Sequence, residues 1–147
     1  MNFYKKHKHT SVLIAGCGRF GSFLASSLSK KGYDVTIIDK DETAFRRLHD
    51  EFSGFQIHGD ASDLDILYEC GIKNCDIVVV ATDNDNVNCM IAQIANVIFN
   101  IEEVYIRLND TDKEDLLAGT SIKAIYPARL SVLAFEEISS IQLEKVK

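Results

Sequence analysis

Short apolar runs alternate along this chain with longer stretches in which apolar residues recur at helical spacing. The runs are Ser11 to Ala15, Asp34 to Asp39, Gly54 to His58, Asp76 to Ala81, Glu103 to Leu108 and Ile122 to Tyr126. Most are continuously apolar, as strands buried on both faces of a sheet are. The intervening spacing predicts helices over Phe20 to Lys31, Glu42 to Phe52, Asp63 to Cys70, Asn86 to Asn100 and Asp112 to Ala118. Strict alternation of this kind predicts an α/β fold with a doubly wound parallel six-stranded sheet covered by helices on both faces.

The punctuation agrees. Gly32 follows Lys30 and Lys31, a helix stop with cations at the negative end of the helix dipole. Asp41 is placed to cap the second helix, with Ala44, Leu48 and Phe52 on one face. Gly71 and Gly119 end the third and fifth helices. Pro127, the one proline, marks the entry to a last, C-terminal crossover helix predicted from Ala128 to about Lys145. Leu130, Leu133, Phe135, Ile138, Ile141 and Leu143 make that helix apolar over much of its circumference. It follows the sixth strand, so it either packs on a partner subunit or folds back on its own sheet.

Composition fits one domain: 147 residues, 46% hydrophobic and 26% charged. A formal net charge of -6 argues against a nucleic-acid partner. The basic cluster Lys5, Lys6, His7, Lys8 and His9 reads as a flexible tail over residues 1–10. No apolar run approaches the roughly 18 residues of a membrane span, and none is placed to serve as a signal peptide, which predicts a cytoplasmic chain. Cys17, Cys70, Cys75 and Cys89 form no zinc-type spacing and read as free thiols.

The chemistry concentrates after the first strand. Gly16, Gly18 and Gly21 form G-x-G-x-x-G between a strand and a helix, with Cys17, Arg19 and Phe20 between the glycines. The first glycine permits the tight turn, the second lets backbone approach phosphate, and the third lets the helix pack on the strand. The first helical turn then offers free N–H groups to an anion. Asp39 closes the second strand at the distance, about 20 residues on, where a carboxylate accepts from ribose hydroxyls and repels a 2′-phosphate. Lys40 follows it. Together these predict a Rossmann-like nucleotide site. Two further loops lie at carboxyl ends of strands. Gly59, Asp60 and Ala61 either let an adenine ring lie against the backbone or provide, through Asp60, a helix cap. Thr82 is placed to line the site, and Asp83 to Asn86 read also as turn and cap.

These residues go beyond a generic dinucleotide fold. Gly16-x-Gly18-Arg19-Phe20-Gly21, the strand ending in Asp39, Gly59-Asp60-Ala61, and Ala81-Thr82 with Asn88 occur together and in order. From about Ser11 to Ile138 the chain resembles the RCK (KTN, TrkA-N) domains of Trk/Ktr-type potassium uptake systems and ligand-gated potassium channels. The resemblance implies an N-lobe over residues 11–127 and a helix over 128–147 at a dimer interface. It implies a cytoplasmic subunit, peripheral to the inner face of the membrane, that binds AMP, ADP, ATP or NAD(H). It implies a homodimer or larger ring on a membrane potassium-translocating subunit, with nucleotide exchange biasing the pore. Arg19 matches a family arginine that reaches phosphate, and Arg107 one that points toward phosphates or a dimer interface. From the residues alone, Arg19 reads equally as a surface cation and Arg107 as half of a structural salt bridge.

Two departures count. Many members of the family carry Pro-Glu after the sixth strand, the acid lying near terminal phosphates and a cation; here the pair is Pro127-Ala128. That disfavours a metal-bridged ATP site and predicts no metal. Members also continue into a smaller C-terminal lobe, so this sequence is either a piece of a longer protein or a lobe with a separately encoded partner. No substrate domain fits within the length, and His49 and His58 read as structural, so no catalytic residue is assigned. The alternatives are a small NAD-dependent oxidoreductase and a scaffold subunit with a purely structural nucleotide.

Overall fold

A computed structural model describes residues 10–144; the predicted basic tail therefore lies almost wholly outside the described residues. The strands are β1 (Ser11–Ala15), β2 (Asp34–Asp39), β3 (Phe55–His58), β4 (Ile77–Val80), β5 (Glu103–Arg107) and β6 (Lys123–Ile125). They form one sheet in the order β3-β2-β1-β4-β5-β6, every neighbouring pair parallel. The α-helices are α1 (Arg19–Lys30), α2 (Leu64–Glu69), α3 (Asp85–Gln93) and α4 (Pro127–Ser139). This is the predicted Rossmann-like arrangement. Strand order reverses beside β1, where β2 lies on one side and β4 on the other, and that crevice is where such sheets bind ligands.

The alternation of side chains along the strands divides the core in two. Leu13, Ala15, Val78, Val80, Val104 and Ile106 join the layer that includes Leu67 of α2 and Ile91, Ala92 and Ala95 beside them. Val12, Ile14, Val35 and Ile37 join the opposite layer with Ala25 of α1 and Ala44. Full burial of each Leu or Ile contributes roughly 1.5–3 kcal/mol, so the central strands fix the order of the sheet. At the edge, β3 is exposed along most of its length, with Phe55 74% accessible.

Four predicted helices differ in form. Glu42 to Phe52 is a 3-10 segment over Glu42–Arg47 only. The chain beyond it is held to α1 by serines: Ser26 Oγ accepts from the His49 amide, and Ser29 Oγ from the Ser53 amide, each at 3.1 Å. Asp112 to Ala118 is likewise a 3-10 segment, Thr111–Leu117, started by an Asp110 carboxylate that accepts from the Asp112 amide. The predicted helix over Asn86 to Asn100 is α3 followed by a π-helical turn, Ile94–Ile98. Finally, α4 stops at Ser139 rather than near Lys145. Ser140 is left-handed at φ 59°, and Ser139 Oγ accepts from the Ile141 amide, a local bond that competes with the helix. None of the α4 residues is buried, and Leu130, Leu133, Phe135 and Ile138 are 49% to 85% accessible. The alternative in which this helix folds back over its own sheet is not what the chain does.

Candidate functional site

A cleft of about 460 Å³ opens at the carboxyl ends of β1 to β5. A larger, shallower depression of about 580 Å³ lies at the other end of the strands, around Lys73, Asn96 and Phe99. Only the former sits at the switch point and collects the glycine loop.

That loop is built by close approach. Gly16 has φ +105°, and a Cβ there would stand 2.7 Å from the Ala81 carbonyl carbon and oxygen. A Cβ on Gly21 would stand 1.9 Å from the Gly16 carbonyl oxygen. At Gly18 it would meet nothing within 4 Å. The first and third glycines therefore let strand, loop and helix touch, and the second keeps open the space in front of α1.

The start of α1 differs from that of four other helical segments and, like α4, lacks a side-chain cap. The helical segments beginning at Glu42, Leu64, Asp85 and Thr111 are each capped by a side chain, from Asp41, Asp63, Asn84 and Asp110. By contrast α1 begins at Gly18 with no side-chain cap and no acidic residue in its first turn. Its leading N–H groups and partial positive charge follow directly on Gly18, which lines the cleft, a ready place for phosphate.

On the β2 side, Asp39 is held by two amides. Cys17 N–H donates to Oδ2 at 2.7 Å and Asp41 N–H to Oδ1 at 2.8 Å. The remaining lone pairs are free for hydroxyl donors. Lys40 Nζ pairs with Asp60 Oδ2 at 3.3 Å. Asp60 Oδ1 accepts from the Ser62 amide and hydroxyl at 2.9 and 2.7 Å, and these bonds hold its carboxyl below the usual carboxylate range. Asp60 is thus not the cap of α2, a role that Asp63 fills. Ala61 is buried against the cleft floor.

On the β5 side, Arg107 lines the cleft, and its Nε is buried without a hydrogen-bond partner. It makes no salt bridge among the described residues, so the structural ion pair does not form. An unpaired buried guanidinium N–H is costly unless a ligand completes it. The open space at Gly18, the uncapped α1, the carboxylate of Asp39 and the orphan donor of Arg107 all fit a nucleotide, ribose over β2 and phosphate toward β1 and β5.

Of the predicted residues, Gly16, Cys17, Gly18, Asp39, Lys40, Asp60, Ala61, Thr82, Asp83 and Arg107 line the cleft. Gly21 lies beneath the loop as packing. The Phe20 side chain packs against the core layer of α1, and Arg19 is exposed at the start of the helix, outside the lining. The Cys17 thiol points away, toward the Ala44 carbonyl oxygen at 3.4 Å, and its pKa is pushed up to about 11, first by burial and then by the charge of Asp39. Arg47 lines the cleft without having been foreseen. Asp41, Ala44 and Arg47 recur every third residue, and side chains three apart align on a 3-10 segment. That spacing was the available signal. His58 Nε2 lies 2.8 Å from the Lys40 carbonyl oxygen and braces the strand end rather than the cleft.

The TrkA-N domain family model matches residues 12–127, which is the sheet with all its crossovers. The chain belongs to the TrkA-N family. This TrkA-N chain is 35% identical over 118 residues to the Trk system potassium uptake protein TrkA of Streptomyces coelicolor, across 80% of this chain and 53% of that one. It is 28% identical over 139 residues to the TrkA of Vibrio alginolyticus, across 92% of this chain and 29% of that one. It thus spans about half, or less, of the length of these two relatives. Among solved structures it is similar to the TrkA-N domain of the inner membrane protein ybaL from Escherichia coli, with TM-score 0.77 and 18% identity over 88% of this chain and 96% of that one. The Kef CTD of Shewanella denitrificans in AMP-bound form gives 0.69 and 24%, over 92% and 84% of the two chains. GsuK bound to ADP gives 0.74 and 22%, over 90% and 35%. At these identities the likeness establishes the fold.

Proposed function

We propose that this chain is a regulatory nucleotide-binding lobe of a potassium uptake system. The observation that carries the reading is the pairing, within a TrkA-N fold, of an uncapped α1 with a buried, unpartnered Arg107 Nε across one cleft. Asp39 takes the ribose hydroxyls, and the glycine loop with Arg107 takes phosphate. The Asp60–Ala61 loop takes adenine, its carboxylate accepting from the exocyclic amine. The proteins called TrkA that resemble this chain, and the AMP- and ADP-bound structures that share its fold, support the same assignment.

The ligand is an adenine nucleotide: AMP, ADP or NAD(H) ahead of a metal-bridged ATP. Ala128, at the second position of α4, supplies no carboxylate for a bridging cation. The segment 128–147, with the lobe ending at 127, pairs with a second copy through the exposed apolar face of α4 (Pro127–Ser139), and the lobes assemble further on a membrane potassium-translocating subunit. No helix of the described residues is long and apolar enough to cross a membrane. In this reading, which rests on the resemblance to Trk uptake proteins, the chain works in the cytoplasm, held to the inner face of the membrane through its partner. Nucleotide regulates by binding two arrangements of the assembly with different affinity, the only way a ligand shifts such an equilibrium. It acts as a binding module without catalytic residues.

Melting of the full chain with AMP, ADP, ATP and NADH tests this. A ligand at about 100 times its Kd contributes about 2.7 kcal/mol, or roughly 5 °C or more in Tm for a domain of this size. Sedimentation with and without the stabilising ligand reads the assembly. No shift with any adenine nucleotide overturns the reading.

A further inference from the structure

Asn88 is 0% accessible, in the first turns of α3 and itself outside the cleft lining. A buried amide is tolerated only when its hydrogen-bonding groups are satisfied. Its Nδ2 donates to the Thr82 carbonyl at 3.0 Å and to the Arg107 carbonyl at 2.9 Å. Its Oδ1 accepts from the Thr82 amide at 3.1 Å and also from the Thr82 hydroxyl. Both donors and both lone pairs are used, and the partners fix which end of the amide is which. One side chain therefore ties the exit of β4 to the end of β5.

Those two strand ends flank the phosphate side of the cleft. Thr82 and Arg107 both line it, and the backbone at Ala81 and Thr82 is the surface on which Gly16 rests, 2.7 to 2.8 Å from a Cβ placed there. Asp85 adds a second tie, its carboxylate accepting from the Asn109 amide at 2.9 Å and the Asp110 amide at 2.8 Å, just past Arg107. The first turn of α3 thus holds the backbone at Arg107 and just past it while leaving its Nε unpartnered. On the adenosine side, Asp39, Lys40 and Asp60 receive no bond from Asn88.

We propose that Asn88 is a positioning residue for phosphate: it fixes the spacing of Thr82 and Arg107 against the glycine loop, so affinity for phosphate-bearing ligands depends on it and affinity for the nucleoside does not. This rests on the adenine-nucleotide reading of the cleft. A 1 Å error in the placement of a charge-assisted donor forfeits most of its bond, so the effect is confined to ligands that reach Arg107.

Calorimetry with adenosine, AMP and ADP on the full chain, Asn88→Ala, Arg107→Ala and the double variant tests this. Asn88→Ala is expected to lose about 10-fold in affinity for AMP and ADP and less than about 2-fold for adenosine. The double variant is expected to bind ADP within about 2-fold of Arg107→Ala alone, because both substitutions remove the same contact. Equal losses for adenosine and ADP, or additive losses in the double variant, overturn the proposal. Because Asn88→Ala also lowers stability, the wild-type Asn88 side-chain amide gives an independent NMR reading. Its resonances are expected to move with ADP and stay fixed with adenosine; the same response to both, or none to ADP, overturns the proposal. If the wild-type chain binds neither ligand, the nucleotide reading fails and this inference with it. If it binds ADP and only the Asn88 pattern is absent, the reading stands and this inference alone fails.

Discussion

The amide of Cys17 donates to the Asp39 carboxylate across 2.7 Å, so the glycine loop itself holds the group proposed to face the ribose. The second oxygen accepts from the Asp41 amide. One carboxylate thereby sets the distance between the end of β2 and the glycine loop. Asp39→Ala is expected to weaken adenosine, AMP, ADP and NADH alike, by about 10-fold or more, since hydrogen bonds to a charged group contribute roughly 1.5–3 kcal/mol. It also frees two amides, at a cost of about 1 kcal/mol in urea denaturation. Unchanged adenosine affinity by calorimetry would show that the ribose lies elsewhere.

The three glycines make separable predictions. Gly21→Ala drives a Cβ to within 1.9 Å of the Gly16 carbonyl oxygen. The helix must move, and a loss of about 1–3 kcal/mol or more is expected in denaturant melts, an overpacking cost. Gly18→Ala meets no atom within 4 Å. It should cost at most about 1 kcal/mol, the difference between Gly and Ala at a helix N-cap. Its added methyl stands in the space left for phosphate, so ADP affinity should fall while adenosine affinity holds. A Gly18→Ala protein that binds ADP as the wild type does would remove phosphate from the start of α1.

Much of this was legible in the sequence because the central strands carry an unambiguous signal. Val12, Leu13, Ile14 and Ala15 are all buried, and only a strand covered on both faces needs such a run. The glycine loop was legible for a similar reason, since each glycine answers a steric demand made by its immediate neighbours. Segments decided by distant contacts were not. The chain around His49 and Ser53 is shaped by Ser26 and Ser29, which lie about two dozen residues away, and no local period reveals that. Arg47 was missed because an α-helical phase turns it about 120° from Asp41, whereas the 3-10 phase aligns Asp41, Ala44 and Arg47. Phe20 sits between two glycines of the loop, and its ring packs against the core layer of α1.

The buried thiol of Cys17 should be slow to react. With its pKa pushed up to about 11, only about 1 part in 1,000 is thiolate at pH 8, against about 1 in 10 for a group at 9. Cys70 is raised to about 11 as well, again chiefly by burial. Between pH 9 and 11 the unfolded chain releases these protons and the folded chain keeps them, so stability falls as pH rises through that window. Cys17→Ala should flatten the fall measured by urea melts from pH 8 to 11. Rapid alkylation of Cys17 in the native protein at pH 8 would show that the loop opens far more readily than its packing implies.

The Asp60 carboxyl has the opposite sign. Hydrogen bonds from Ser62, and then the ammonium of Lys40, hold its pKa below the ordinary value near 3.8. The stability this contributes is present above the unfolded pKa and lost as pH falls through the depressed one, so the window lies below about pH 4. Ser62→Ala should move the Asp60 carboxyl upward in an NMR titration. Across pH 5 to 8 the group stays ionised, and affinity for adenine nucleotides should be flat where it depends on Asp60. A titration of Asp60 unaffected by Ser62→Ala would mean that the loop adopts another turn in solution.

The exposed face of α4 gives the last prediction. Leu130, Leu133, Phe135 and Ile138 are 56%, 59%, 49% and 85% accessible, and none of the helix is buried. Apolar groups left in water on a helix, with polar residues such as Glu136 and Glu137 between them, form a stripe suited to a second copy of itself. Replacing Leu133 and Ile138 together by glutamate should convert a dimer to a monomer in sedimentation velocity. The Tm of the β1–β6 lobe in that monomer should change little beyond the loss of dimer stabilisation, because α4 contributes no residue to either core layer. ADP should still bind the monomer, since every residue lining the cleft lies between Gly16 and Arg107. A double variant that stays dimeric would place the subunit contact on another face.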